Sequence, residues 1–217
     1  QMNKILVVAA HPDDELLGVG GIVARHTAAG DEVRSVIMCE GESLRYHGDV
    51  GQNKAIAEAA KILGVSKVYT LGYPDQKLDT YTLTELITPL EQISEEYRPN
   101  IIYCQSACDA NRDHKILFEA AMIAFRPNSE WIEDFYGFYT ASSTEWGYPR
   151  NFVPDTWIDI TAVLDRKIAA FEAYESEKRE YPHPRSSEAL RHQSHFWGNQ
   201  CCMDAAEVLM TVRRIKR

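Results

Sequence analysis

Apolar positions along the chain fall into two alternating patterns. Short runs without polar alternation, KILVVAA (4–10), EVRSVIMC (32–39), KVYTLG (67–72) and NIIYCQ (100–105), have the length and continuity of strands buried on both faces. Between them lie segments with helical spacing: Leu16 to about Ala29, stopped by Gly30-Asp31; QNKAIAEAAKIL (52–63), closed by Gly64; 81–97; and 114–125, ended near Pro127. The polar stretch GESLRYHGDVG (41–51) reads as a loop. Further on, the pattern predicts short strands at 135–140 and 157–160, helices over 161–177 and 186–199, and a closing strand over 206–215. Four strand-then-helix units in series predict an α/β fold, a doubly wound and mostly parallel sheet with helices on both faces. The stretches 142–155 and 178–186 are short enough to be loops, so residues 1–217 are expected to form a single domain.

This layout says where ligands go. In open α/β sheets they bind beyond the carboxyl ends of the strands. Polar residues gather there: His11–Glu15 after the first strand, Gly41–His47 after the second, Gly72–Asp75 after the third and Ser106–His114 after the fourth. The first group is the most demanding. VVAAHPDDELLGVGG (7–21) runs from a buried strand directly into a histidine and three carboxylates. Like charges at the edge of a core need counter-charge or solvent.

Composition narrows the partners. With 217 residues and a net charge of −9, the chain lacks the basic footprint of a nucleic-acid binder and is a poor match for an anionic membrane surface. No run of apolar residues is long enough to span a bilayer, and the N-terminal stretch lacks a signal-type apolar region. Cys39, Cys104, Cys108, Cys201 and Cys202 show neither a disulfide framework nor zinc-ribbon spacing. They are expected to be reduced, buried thiols of a cytoplasmic protein.

His11 and Asp14 lie three apart where a strand turns into a helix, with Pro12 suited to a helix start, so both side chains can face one point. DANRDHK (109–115), after the fourth strand, offers His114. Two imidazoles and a carboxylate make an open zinc site with positions left for water and substrate, and iron(II) suits the same donors. Asp13 then stands beside the metal, where a general base belongs. Taken singly, Asp13 and Asp14 would serve equally well to cap a helix and complement its dipole. Asp109 and Asp113 are both candidates to orient the imidazoles.

AHPDDE after the first strand and the D-x-N-x-D-H arrangement of Asp109–His114 resemble the LmbE-like or PIG-L family of zinc-dependent de-N-acetylases. EGE (40–42), AAKILGV (59–65), LGYPDQKL (71–78) and PRSSEALR (184–191) continue the resemblance in the family's order over nearly the whole chain. It implies a Rossmann-like fold, a catalytic zinc and removal of an N-acetyl group from an amino sugar or its conjugate. By resemblance His11, Asp14 and His114 are the metal ligands and Asp13 the general base. Asp113 matches the acid of the second motif, and Asp75 a position that contacts substrate hydroxyls.

Two departures stand out. Asn111 occupies the place of a family histidine that stabilises the oxyanion and protonates the departing amine. An amide can donate a hydrogen bond there but supplies no proton at neutral pH. The expectation is that Asp13 serves as base and then acid, or that His183, His192 or His195 assists. The helix from residue 52 has QNKA in place of the family's Arg-x-x-Glu, which leaves Arg45 or Lys54 to supply positive charge. Among the aromatics of 130–149, most suit strand core, with Trp146 and Tyr148 the candidates to stack on a sugar ring. The glycines of GVGG (18–21) come too late for a dinucleotide turn and suit helix–sheet packing. Hydrolysis of another amide, in a thiol conjugate or an N-acyl antibiotic, is the alternative activity. A non-catalytic metal- or sugar-binding role is the third reading, against which the retention of Asp13 argues. The sugar and the number of subunits, a homo-oligomer included, stay open.

Overall fold

The computed structural model of the protein describes residues 2–41 and 51–216. Within them are seven strands: β1 (Lys4–Ala9), β2 (Glu32–Cys39), β3 (Lys67–Tyr73), β4 (Ile101–Gln105), β5 (Asp134–Phe138), β6 (Thr156–Asp159) and β7 (Ala206–Arg214). Six α-helices join them: α1 (Asp14–Ala28), α2 (Gln52–Leu63), α3 (Leu83–Tyr97), α4 (Arg112–Ala124), α5 (Leu164–Glu172) and α6 (Ser187–Asn199). All seven strands form one sheet in the order β3-β2-β1-β4-β5-β7-β6. β1 to β5 run parallel, and β7 pairs antiparallel with both β5 and β6.

β1 lies at the centre and explains its own sequence. Ile5 and Val7 enter the core shared with α1, α2 and α5, while Leu6 and Val8 enter the core shared with α3 and α4. A strand covered on both faces has no use for polar alternation. Because β2 lies on one side of β1 and β4 on the other, the connections leave in opposite directions and open a crevice at the carboxyl ends. The α/β architecture therefore agrees with the expectation, with most elements shifted by only a residue or two, while the expected loop after β2 lies, beyond Gly41, outside the described residues up to Gly51. No described helix is long and apolar enough to cross a membrane.

The expected helix over 161–177 is shorter. A 3-10 turn, Thr161–Val163, precedes α5, which stops at Glu172. Polar ties then hold the following chain: the Tyr174 hydroxyl donates to Glu15 Oε1 (2.9 Å), and Glu177 meets the Gln52 amide at 3.3 Å and Arg185 at 3.0 Å. These buried partners outweigh the helical pattern of the sequence. The cysteine expectation also needs correction. Cys39 and Cys104 are buried, but Cys108 is only partly so, and Cys201 and Cys202 are exposed where the chain turns after α6.

The glycines of α1 do serve packing. A Cβ on Gly18 would fall 2.1 Å from the Phe138 ring, and one on Gly21 would fall 2.8 Å from Ile160. The helix breaks at Val19 (φ −136°, ψ 20°), which frees backbone groups inside the core. Glu207 accepts from the amides of Gly21 (2.9 Å) and Ile22 (2.7 Å). Lys167 Nζ lies 2.7 Å from Glu207 and donates to the Leu17 carbonyl at 3.2 Å. One buried ion pair thus satisfies both sides of the break. Glu207→Ala is expected to lower the unfolding free energy in urea by about 3–5 kcal/mol, since it strands Lys167 and two amides. A loss below about 1 kcal/mol would show that the pair does not hold the helix.

Candidate functional site

The site begins at the exit of β1. The Ala10 amide donates to Gln105 Oε1 (2.6 Å), and its carbonyl accepts from the Cys39 amide (2.8 Å). The chain is thereby pinned to the ends of β4 and β2 immediately before His11. Asp13 takes a left-handed conformation (φ 95°), unusual for a residue with a Cβ, at the N-cap position of α1. Its side chain caps no amide of the first turn. It meets Arg185 Nη1 at 3.2 Å instead, so capping does not account for Asp13.

His11 Nδ1, Asp14 Oδ2 and His114 Nε2 form a nearly equilateral triangle. The separations are 3.1 Å from His11 to Asp14, 3.2 Å between the imidazoles and 3.2 Å from His114 to Asp14. The outer ring nitrogens face carboxylates: His11 Nε2 lies 3.0 Å from Asp113 Oδ2, and His114 Nδ1 lies 3.1 Å from Asp109 Oδ1. With the outer nitrogens carrying the protons, both rings turn a bare lone pair toward the triangle's centre. Two nitrogens and an oxygen at this spacing fit one divalent ion with ligand bonds of about 2.0–2.2 Å. Asp14 Oδ1 is buried without a hydrogen-bond partner, as suits a carboxylate committed to a cation.

The electrostatics make the same demand. Asp13, Asp14, Asp75, Asp109 and Asp113 are each at most 2% exposed. Burial works to lower both imidazoles, yet the carboxylates outweigh it and hold His11 well above, and His114 above, the ordinary histidine value. Burial likewise raises Asp14, but His114 and His11 outweigh it and keep the carboxyl well below its usual range. A divalent ion supplies this positive charge without protonating the ligands. Asp13 goes the other way: burial pushes it well above the carboxylate range, and Arg185 only partly opposes.

Asp109 and Asp113 divide the work that spacing alone could not assign. Asp113 faces His11 and accepts from the Leu78 amide (3.2 Å). Asp109 faces His114 and is held by the hydroxyls of Ser143 and Thr144. Asp75 leans on His11 Nε2 (3.1 Å) from the end of β3 and lines a pocket with His11 and Asp13. Asn111 caps α4, its Oδ1 accepting from the Asp113 amide at 2.9 Å. Trp146 is 59% exposed on the turn after Ser143-Thr144, edge-on to His183. Tyr148 is 93% exposed.

Other candidates fall elsewhere. Arg45 lies outside the described residues. Lys54 is exposed and lines a different groove with Glu58 and Glu175. His192 packs against Tyr181, and His195 Nδ1 meets the Asp204 carbonyl at 2.6 Å. His183 accepts from the Arg185 amide (3.0 Å). Among the described residues, the cationic side chain in the pocket wall is Arg185, not singled out in the sequence although PRSSEALR contains it. Gln52 and Glu177 line the same pocket. Cys39, read as a small apolar residue, sits against Asp113.

Residues 6–125 match the PIG-L family, described as GlcNAc-PI de-N-acetylase. The chain is 26% identical over 190 residues to the diacetylchitobiose deacetylase of Thermococcus kodakarensis, spanning 81% of this chain and 70% of that protein. It is 28% identical over 196 residues to the 4-oxalmesaconate hydratase of Pseudomonas putida, spanning 78% and 72%. The crystal structure of a conserved protein from Thermus thermophilus covers 100% of this chain and 97% of its own, with a TM-score of 0.82 at 27% identity. The family match runs from β1 to the end of α4 and takes in His11, Asp13, Asp14 and Asp109–His114, so the chain belongs to the PIG-L family.

Proposed function

We propose that the protein is a metal-dependent hydrolase that removes the N-acetyl group from an amino sugar or amino-sugar conjugate. The observation that carries this reading is the convergence of two imidazole lone pairs and a carboxylate beside Asp13, a carboxyl kept out of the ligand triangle. His11, Asp14 and His114 would hold the ion, zinc in this reading, with iron(II) suited to the same donors. When bound, the ion lowers the pKa of a water toward neutrality and polarises the acetamide carbonyl.

The chain's own residues supply the rest. Asp13 takes the proton of the attacking water and returns it to the amine as the C–N bond breaks, giving acetate and the free amino sugar. Burial raises the Asp13 carboxyl above the usual carboxylate range, the direction a proton carrier needs, and Arg185 lies 3.2 Å from it. Asn111 has its Oδ1 committed to the α4 cap, so its amino end is the donor available to the developing oxyanion. Asp75 borders the pocket as a hydrogen-bond acceptor for sugar hydroxyls, and Trp146, exposed beside His183, offers an aromatic face. The similarity to a diacetylchitobiose deacetylase supports an N-acetylated sugar as substrate. Five free cysteines accord with a reducing compartment such as the cytoplasm.

Asp13→Ala is expected to reduce kcat for acetate release by about 10²–10⁴-fold while metal content stays at one ion per chain. Retained activity would remove Asp13 from the chemistry. Asp109→Asn is expected to weaken metal affinity by about 10–100-fold, read by competition with a chromophoric chelator, because it loosens the His114 ring. Unchanged affinity would contradict that support. Asn111→His should add a titrating group and alter the pH–rate profile, whereas an unaltered profile would deny position 111 a part in the reaction. Trp146→Ala should raise KM for a disaccharide substrate more than for a monosaccharide, and equal effects on both would place the ring outside the sugar path.

A further inference from the structure

His11 has two ring nitrogens, and both sit among metal-ligating groups. Nδ1 belongs to the triangle with Asp14 and His114. Nε2 lies 3.0 Å from Asp113 Oδ2, and Cys39 Sγ lies 3.7 Å from the same oxygen. The three ligand atoms on this side all fall within 4.8 Å of one another, and all three residues are buried. A cation with bonds of about 2.3 Å to sulfur and 2.0–2.2 Å to nitrogen and oxygen brings donors to separations of this size. The proposed hydrolysis has no use for Cys39.

We propose that His11 Nε2, Cys39 Sγ and Asp113 Oδ2 form a second metal site, selective for thiophilic divalent cations, that competes with the first triangle for His11. The competition rests on the reading of His11, Asp14 and His114 as the activating metal site. Binding at the second site sends the thiol proton to solvent and moves the imidazole proton from Nε2 to Nδ1. Nδ1 then carries a hydrogen toward Asp14 and His114, so the first site loses one of its three ligands. Only one ion is held through His11 at a time, and its softness decides where. Borderline or harder ions stay with two nitrogens and an oxygen, whereas a soft ion crosses to the thiolate. A thiophilic cation therefore inactivates the enzyme by expelling the activating one rather than by blocking substrate.

The test uses the full-length zinc-loaded protein titrated with cadmium(II). The wild type is expected to gain a thiolate-to-cadmium absorption band in the ultraviolet, release one zinc for each cadmium bound at this site, and lose activity in step. Cys39→Ser should keep its zinc and its activity at cadmium levels about tenfold higher or more, and lose one equivalent of the band. Cys39→Ala serves as the second variant, since an alanine cannot ligate. The remaining thiols are equal in all three proteins, so the difference between them isolates Cys39. Cadmium binding without zinc release, or the same zinc release from both variants, would overturn the proposal. Zinc release and the band are read without substrate, so the metal site can be tested even where the deacetylase reading fails.

Discussion

Five aspartates buried around two imidazoles are the constraint on which the site depends. Taking that much like charge out of water is costly unless positive charge joins it. Arg185 supplies part of the charge, at Asp13. The geometry of the rest, two lone pairs and a carboxylate oxygen at the corners of one small triangle, asks for a divalent ion. The question raised by a buried strand that runs into histidine and three acids is answered by that arrangement.

The chain segments that carry the triangle leave from the ends of sheet strands. Ala10 is clamped by the ends of β4 and β2, which fixes the start of the His11–Asp14 turn. The second imidazole arrives from the loop after β4, the strand on the other side of β1, where the connections diverge. Asp109 is held in turn by Ser143 and Thr144. The break in α1 belongs to the same design: glycines let the helix settle against the sheet, and the Lys167–Glu207 pair satisfies the backbone it frees. Rigid placement of this kind keeps the ligands and Asp13 in register without rearrangement at the moment of reaction.

The central strands and the first four helices were legible because burial on two faces and helical spacing leave strong marks in local sequence. His11, Asp14 and His114 were legible for a related reason: strand exits in a parallel sheet share one edge. Other features depend on orientation or on chain reversal, which spacing does not encode. Asp113 serves His11, far away in the chain, rather than its neighbour His114, whose Nδ1 faces Asp109 instead. Arg185 and Glu177 reach the pocket only because α5 ends at Glu172 and the chain folds back, an outcome set by buried partners such as Glu15 and Gln52. Cys39 looked like core because its chemistry appears only once Asp113 is beside it.

The histidine–aspartate cluster is read here as a metal centre that turns water on an N-acetyl group. Its most direct test is acetate release from N-acetylglucosamine, diacetylchitobiose and related conjugates by chelator-stripped protein titrated with zinc. The expected result is silence without metal and activity that rises to a plateau at one ion per chain. Acetate release that ignores the chelator, or none from any of these substrates with one zinc bound, would contradict it.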